Sequence, residues 1–372
     1  MGHAYLPAIN REKWTAYKSA FPEDVVTVVT PDSWSDALFV VKNIEPIDQD
    51  VRVNYVHLPV AYSGNEVLYR YSWMDVWRTM NAVAPDVLLV EQGDNAFSYF
   101  QWILVSFLQF RFIPRLFFTW VNWKHQWGWR YRFFWKPIEF FNCLFSSAAI
   151  VGNPGAEVIL REKGFKIPVL VSPQLGVSPS EDHQKKDQKH SRTIGFVGRL
   201  AREKGVHLLL EAFARQSSQY IDWDVCIVGS GPENDALVRL SNDLGIKEKV
   251  VFTGSVDHYR AIQLIQSFDI LVLPSFDTSS WKEQFGHVII EAMAAGVPVI
   301  GSDAGAIAWV IGDAGLVFAQ KSIEGLSEAL CKYMSQEEVC RMYGERGLNR
   351  VREVYGHEVI ARNIGNFLHS LI

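Results

Sequence analysis

Apolar positions along the chain alternate between two rhythms. Short β-branched or mixed apolar runs at 25–30, 51–58, 87–91, 115–120, 149–152 and 169–172 read as buried strands. Helical spacing fills the gaps. It predicts helices over about 8–21, with Trp14, Tyr17 and Phe21 on one face, 72–83, 98–110, 127–145, where Pro137 interrupts, and 155–163. The stretch 178–192, SPSEDHQKKDQKHSR, carries no apolar stripe and reads as a connection. The alternation then restarts. Strands are expected at 194–197, 225–228, 250–253, 270–274, 299–302 and 316–317, with helices from His207, Asn234, Tyr259, Gly286 and Ile323. In the tail, Val359, Ile360, Ile364, Phe367 and Leu371 recur at helical spacing. Strands alternating with helices predict an α/β fold of parallel, doubly wound sheets. The expected division is a first domain over 1–177, the connection 178–192, a second domain over 193–355 and a closing helix over 356–372.

Composition narrows the function. At 372 residues and 48% hydrophobic, the chain can bury two ordinary cores. A net charge of −5 argues against a nucleic-acid partner. Four cysteines, Cys143, Cys226, Cys331 and Cys340, show no metal-ligand spacing, which predicts a reduced, cytoplasmic setting with no structural metal. The opening MGHAYLPAINREKW is not a secretory signal, and no apolar run reaches the length of a spanning helix. Aromatic content is 13%, much of it between Trp73 and Phe145. Within it, Trp123 to Lys136, WKHQWGWRYRFFWK, interleaves rings with Lys124, Arg130, Arg132 and Lys136. Three uses fit: peripheral contact with an anionic membrane, a domain core with a solvated basic face, or a stacking surface for sugars.

Candidate chemistry gathers in the second domain. Gly195-Phe196-Val197-Gly198-Arg199 ends a strand in a glycine turn, and Lys204 follows, so two cations can face an anion that the backbone approaches closely. Val228-Gly229-Ser230-Gly231-Pro232 and Gly254-Ser255-Val256 end two further strands at the sheet edge where open α/β folds bind ligands. The stretch WKEQFGHVIIEAMAAGVPVI places Glu283 in a loop and a loop-to-helix junction at Phe285-Gly286-His287-Val288, with Glu291 about two turns into the helix. A helix that begins beside a glycine aims unpaired amides at whatever lies in front of it. An Asp-x-Asp at Asp222-Trp223-Asp224 precedes its strand and so belongs to the amino edge, away from that crevice.

Together these segments resemble family-4, GT-B-fold retaining glycosyltransferases, the glycosyl transferases group 1, over roughly Gly195 to Phe318. Glu283 and Glu291 match the family's Glu-x7-Glu signature. The resemblance implies two Rossmann-like domains facing across a cleft, the first binding acceptor and the second a UDP-, GDP- or ADP-linked sugar, with no metal and no cofactor. It implies that Arg199 and Lys204 hold the departing diphosphate. Glu283 would hold the donor sugar, and Glu291 the ribose. Gly198, Gly229, Gly231, Ser255, Val256, Phe285, Gly286, His287 and Val288 would line the donor site. Where the family has a His after the strand at 115–120, Asn122 is closest, with His125 slightly beyond. His3 and Glu91 are candidates for acceptor binding. A glycan or lipid-linked acceptor in envelope or extracellular polysaccharide synthesis is implied, with the protein cytoplasmic or peripheral on the inner face of the plasma membrane. A GT-B-fold nucleotide-sugar epimerase and a non-catalytic sugar-nucleotide or membrane-binding module are the alternatives. Two departures stand out. Trp309 occupies a position where the family often has Glu, and the family's first buried strand is either absent or lies before residue 1.

Overall fold

The structure is a computed structural model that describes residues 2–35, 40–41, 53–110, 112–123, 128–179 and 192–372. The chain forms two compact units, Met1–Gly176 with His357–Ile372, and Val177–Gly356.

In unit 1, strands β1 (Val26–Pro31) and β2 (Val53–Leu58) pair in parallel. A second sheet orders β3 (Leu88–Val90), β4 (Arg115–Thr119), β5 (Ala148–Val151) and β6 (Val169–Val171) side by side, all parallel. Gly2 donates its N–H to Val29 O at 3.2 Å. Helix α1 (Glu12–Ala20) precedes β1, itself preceded by short 3-10 turns, and α2 (Trp73–Val83), α3 (Phe97–Gln109), α4 (Trp129–Leu144) and α5 (Pro154–Glu162) connect the later strands. Successive strand residues point to opposite faces, and both faces are dry. Val28, Leu89, Leu116, Phe118, Ala148 and Ile150 join Trp14 and Tyr17 of α1 and Ile360, Ile364 and Leu368 of the chain's last helix, His357–His369. Their strand neighbours Val29, Val90, Phe117, Ala149 and Val151 pack instead with Val76, Trp102, Ile103 and Leu160. A strand buried on both faces reads as a continuous apolar run, which is how these were legible.

Unit 2 holds one six-stranded, all-parallel sheet of β7 (Arg192–Val197), β8 (Trp223–Val228), β9 (Val250–Gly254), β10 (Ile270–Leu273), β11 (Val299–Ser302) and β12 (Gly315–Phe318). The spatial order is β9-β8-β7-β10-β11-β12. The strand order therefore reverses between β7 and β10, and a crevice opens beyond their carboxyl ends. Helices α6 (Val206–Ala214), α7 (Asn234–Asp243), α8 (His258–Ser267), α9 (His287–Ala294), α10 (Ile307–Ile311), α11 (Ile323–Ser335) and α12 (Glu337–Arg350) surround the sheet.

Candidate active site

The loops leaving β7, β8, β9, β10 and β11 meet at the carboxyl edge of the unit 2 sheet, and glycines let them interlock. Gly198 N–H donates to Val228 O, Gly229 N–H to Gly254 O and Leu200 N–H to Ser230 O, each at 2.9–3.0 Å. Gly229 has φ 134°, and a side chain there would begin 1.9 Å from Gly198 O. One at Gly231 would begin 2.3 Å from Leu200 O. Backbone against backbone leaves no room for a Cβ, so these glycines are fixed by loop packing before any ligand arrives. Ser255, exposed after β9, shares a 2.6 Å hydrogen bond with Ser230, beside half-buried Val256.

Across the switch point, Lys204 Nζ lies 2.7 Å from Glu283 Oε2, which also accepts from Ser275 Oγ at 3.0 Å. The ammonium sits 4.9 Å above the Trp281 ring. The loop around Glu283 is itself pinned. Glu283 O accepts from Ala306 N at 3.0 Å, and Gly305, at φ 53°, passes so close that a Cβ would lie 2.1 Å from that oxygen. Ser302 Oγ donates to Ser275 O, tying β11 to the same loop. Arg199 is exposed on the β7 loop, where its carbonyl accepts from Ala201 N at 3.0 Å.

Helix α9 starts at His287, one residue past Gly286, whose φ is 78°. Glu291 is the fifth helical residue, one turn beyond His287 rather than two turns into the helix, so the two side chains share a face. His287 Nδ1 lies 3.2 Å from Glu291 Oε1. Burial pushes the Glu291 carboxyl up, but the His287 hydrogen bond and charge, with His258, outweigh it and hold the group below its ordinary value. His287 Nε2 is shielded from solvent without a hydrogen-bond partner. Val288 is half-buried on the same helix.

Phe285 was expected to line the donor site, and its side chain does otherwise. Its ring is only 5% exposed and packs at 5.7 Å from Tyr355 and 6.3 Å from Trp309. Trp309 thus has a local role as a wall for Phe285, and Arg350 holds its carbonyl at 2.9 Å. Asp222 is where the strand pattern placed it, at the amino end of β8. Its carbonyl accepts from Arg192 N.

In unit 1, Asn122 follows β4 and lies against the start of α5, where a Cβ on Gly155 would be 3.0 Å from the Asn122 Cβ. His125 lies outside the described residues. His3 stacks on Trp34 with ring centroids 4.3 Å apart, and its Nδ1 is 2.8 Å from Gln92 Nε2. Glu91 is not presented to an acceptor. Its carboxylate is 0% exposed, with Lys13 Nζ at 2.6 Å, Gln174 Nε2 at 3.3 Å and the Tyr5 hydroxyl all donating to it. Burial raises the Glu91 pKa to about 8 and drives Lys13 well below its ordinary value. Sequence reasoning missed Ser275, Ser302 and Trp281 in unit 2. The available signal was a small polar residue at or just past the end of a buried strand, present at both serines.

Residues 178–350 match the family model described as glycosyl transferases group 1. The chain is 32% identical over 201 residues to N-acetyl-alpha-D-glucosaminyl L-malate synthase of Bacillus anthracis, covering 54% of this chain and 48% of that protein. It is 31% identical to the lipopolysaccharide core biosynthesis glycosyltransferase LpsE of Rhizobium meliloti, covering 57% of this chain and 61% of that one. The matches therefore span about half to three fifths of these relatives. Among solved structures, Anabaena Alr3699/HepE in complex with UDP superposes with a TM-score of 0.72 at 15% identity, covering 99% of this chain and 98% of that one. Sucrose-phosphate synthase from Thermosynechococcus elongatus gives 0.66 at 20% identity, over 97% and 92%.

Proposed function

With the chain belonging, over residues 178–350, to the glycosyl transferases group 1, we propose that it transfers a hexose from a nucleoside-diphosphate sugar, with retention of anomeric configuration, to a glycan or lipid-linked glycan acceptor. The observation that carries this reading is the Lys204–Glu283 pair with Ser275 at the switch point of the unit 2 sheet. A cation and a carboxylate held 2.7 Å apart can engage opposite ends of one donor, Lys204 its phosphates and Glu283 its sugar hydroxyls. Arg199 and the first amides of α9 add to the positive potential around the diphosphate. As the bond from anomeric carbon to phosphate oxygen lengthens, negative charge grows on the leaving group, and fixed donors aimed there lower the barrier. Glu291 binds the ribose and His287 orients it. Unit 1 supplies the acceptor side. The cations do the work that a metal does in other nucleotide-sugar enzymes, so turnover is expected to survive chelation.

The test is the thermal stability of the purified chain with UDP, GDP or ADP, each with EDTA. A bound nucleotide at about 100 times its dissociation constant adds roughly 2.7 kcal/mol. One nucleotide should stand out and name the base; no shift from any of the three would overturn the donor-site reading. Chromatography of the products with the full nucleotide sugar then checks transfer. A sugar altered while still joined to its nucleotide, with no acceptor present, would replace transfer by epimerisation.

A further inference from the structure

Helix α4 carries an apolar stripe on its solvent side. Trp129, Phe133, Lys136, Phe140 and Leu144 recur at intervals of four, three, four and four residues, which keeps them on one face over four turns. Phe133 is 77% exposed, Trp129 and Phe140 67%, and Leu144 62%. A 16-residue helix is about 24 Å long, so this is an extended ridge. Large rings stranded singly on a surface are ordinary, whereas a continuous row marks a contact.

The opposite face of α4 is tied down by groups that cannot be given up cheaply. Asn142 Nδ2 donates to Asp94 O at 2.9 Å and to Ala96 O at 3.2 Å. Lys163 bridges Glu139 of α4 to Asp94, the latter at 2.6 Å. Phe141 packs on Phe100 at 5.0 Å, and Phe100 in turn meets Trp73 of α2 at 6.5 Å. Turning the helix to bury its outer rings would leave these polar groups unpaired. The inner face therefore holds the ridge outward.

Charge says what covers it. From Gly128 to Ile138 the sequence holds Arg130, Arg132 and Lys136 and no acidic residue, in a chain whose net charge is −5. Lys136 is exposed in the middle of the stripe. If two copies paired this face about a two-fold axis, that centre would meet itself and set Lys136 against Lys136. An anionic bilayer has the complementary arrangement, with rings settling at the headgroup boundary and cations meeting lipid phosphates. We propose that the outer face of α4 lies on an anionic membrane surface. This is a peripheral contact, since no helix among the described residues is long and apolar enough to cross a bilayer. It stands apart from the donor-site reading, because it uses none of the residues assigned there.

The experiment is co-sedimentation of the full chain with phosphatidylcholine vesicles, with and without phosphatidylglycerol. Partition onto the anionic vesicles is expected and should fall tenfold or more in F133S/F140S. K136E should lose about tenfold on anionic vesicles and little on neutral ones. All the substituted groups are exposed, so melting temperatures should match the parent. The proposal is overturned if the parent stays in the supernatant, if it binds neutral vesicles equally well, or if the variants sediment as the parent does. A lipid-free dimer by analytical ultracentrifugation that F133S/F140S dissociates would assign the face to a second copy instead.

Discussion

Two Lys–Glu pairs of nearly equal length differ in how far solvent reaches them. Lys204–Glu283, at 2.7 Å, sits at the carboxyl edge of the unit 2 sheet, with side chains 21% and 10% exposed. Lys13–Glu91, at 2.6 Å and beside the carboxyl end of β3, is 1% and 0% exposed. On the proposed function, what separates a donor site from a strut is access and not distance. An ion pair with solvent beside it can exchange one partner for a ligand. One sealed under Tyr5, Trp14 and Gln174 can only hold its neighbours in place, at a desolvation cost that pairing has to offset.

The most direct way to break this contrast is to truncate each lysine. Lys13→Ala leaves Glu91 buried with one fewer donor and should cost about 1–3 kcal/mol of stability, read by urea unfolding. Replacing both partners with well-packed apolar residues should recover most of that loss. Lys204→Ala should cost about 1 kcal/mol or less in the same assay, because the pair is partly solvated. Its turnover should instead fall about a hundredfold to a thousandfold, the scale of losing one donor to a developing negative charge. If the two variants lost similar stability, exposure would not be what distinguishes the pairs.

Within unit 2 the two glutamates sharpen the picture further. Glu283→Ala should act mainly on turnover and Glu291→Ala mainly on nucleotide affinity, and equal behaviour of both would contradict the division. The smallest effect concerns pH. Because the folded Glu291 carboxyl is held below its ordinary value of 4.5, its contribution to stability is complete above that value and is lost as pH falls through the lower, folded one. Acid unfolding of Glu291→Gln should lack that increment.

The same contrast explains what could be read from the sequence. In unit 2 each predicted strand ends within two residues of an observed one at the ligand edge, because four of the first five strands run into a glycine or proline that the packed loops require. Two helices went unseen. One is α12, whose polar EEVCRMYGERGLNR contains two glycines that speak against a helix. Packing overrides propensity there. A Cβ at Gly344 would lie 2.3 Å from Gly296 O, and one at Gly347 would lie 3.0 Å from Met293, so the glycines are what allow close approach. The other, α10, is too short for a periodic signal. Glu91 was misread as an acceptor ligand for a different reason. Its partner Lys13 is 78 residues away, next to the apolar stripe of α1, and no local pattern reveals a lysine turned inward. Loops after strands are legible as sites in general; which carboxylate is sealed is decided by distant packing.

The last helix carries a consequence for the order of events at the ribosome. Residues 357–369 cover Trp14, Tyr17 and the strand face of Leu116 and Phe118, and Gly365 sits so close to the Phe21 ring that a Cβ would lie 2.0 Å from it. Unit 1 is therefore built from segments on both sides of unit 2 and is completed only by this late one, after the whole of unit 2 has emerged. Over that interval the nascent chain carries an open apolar face, of the kind that chaperones hold and that aggregates when they do not.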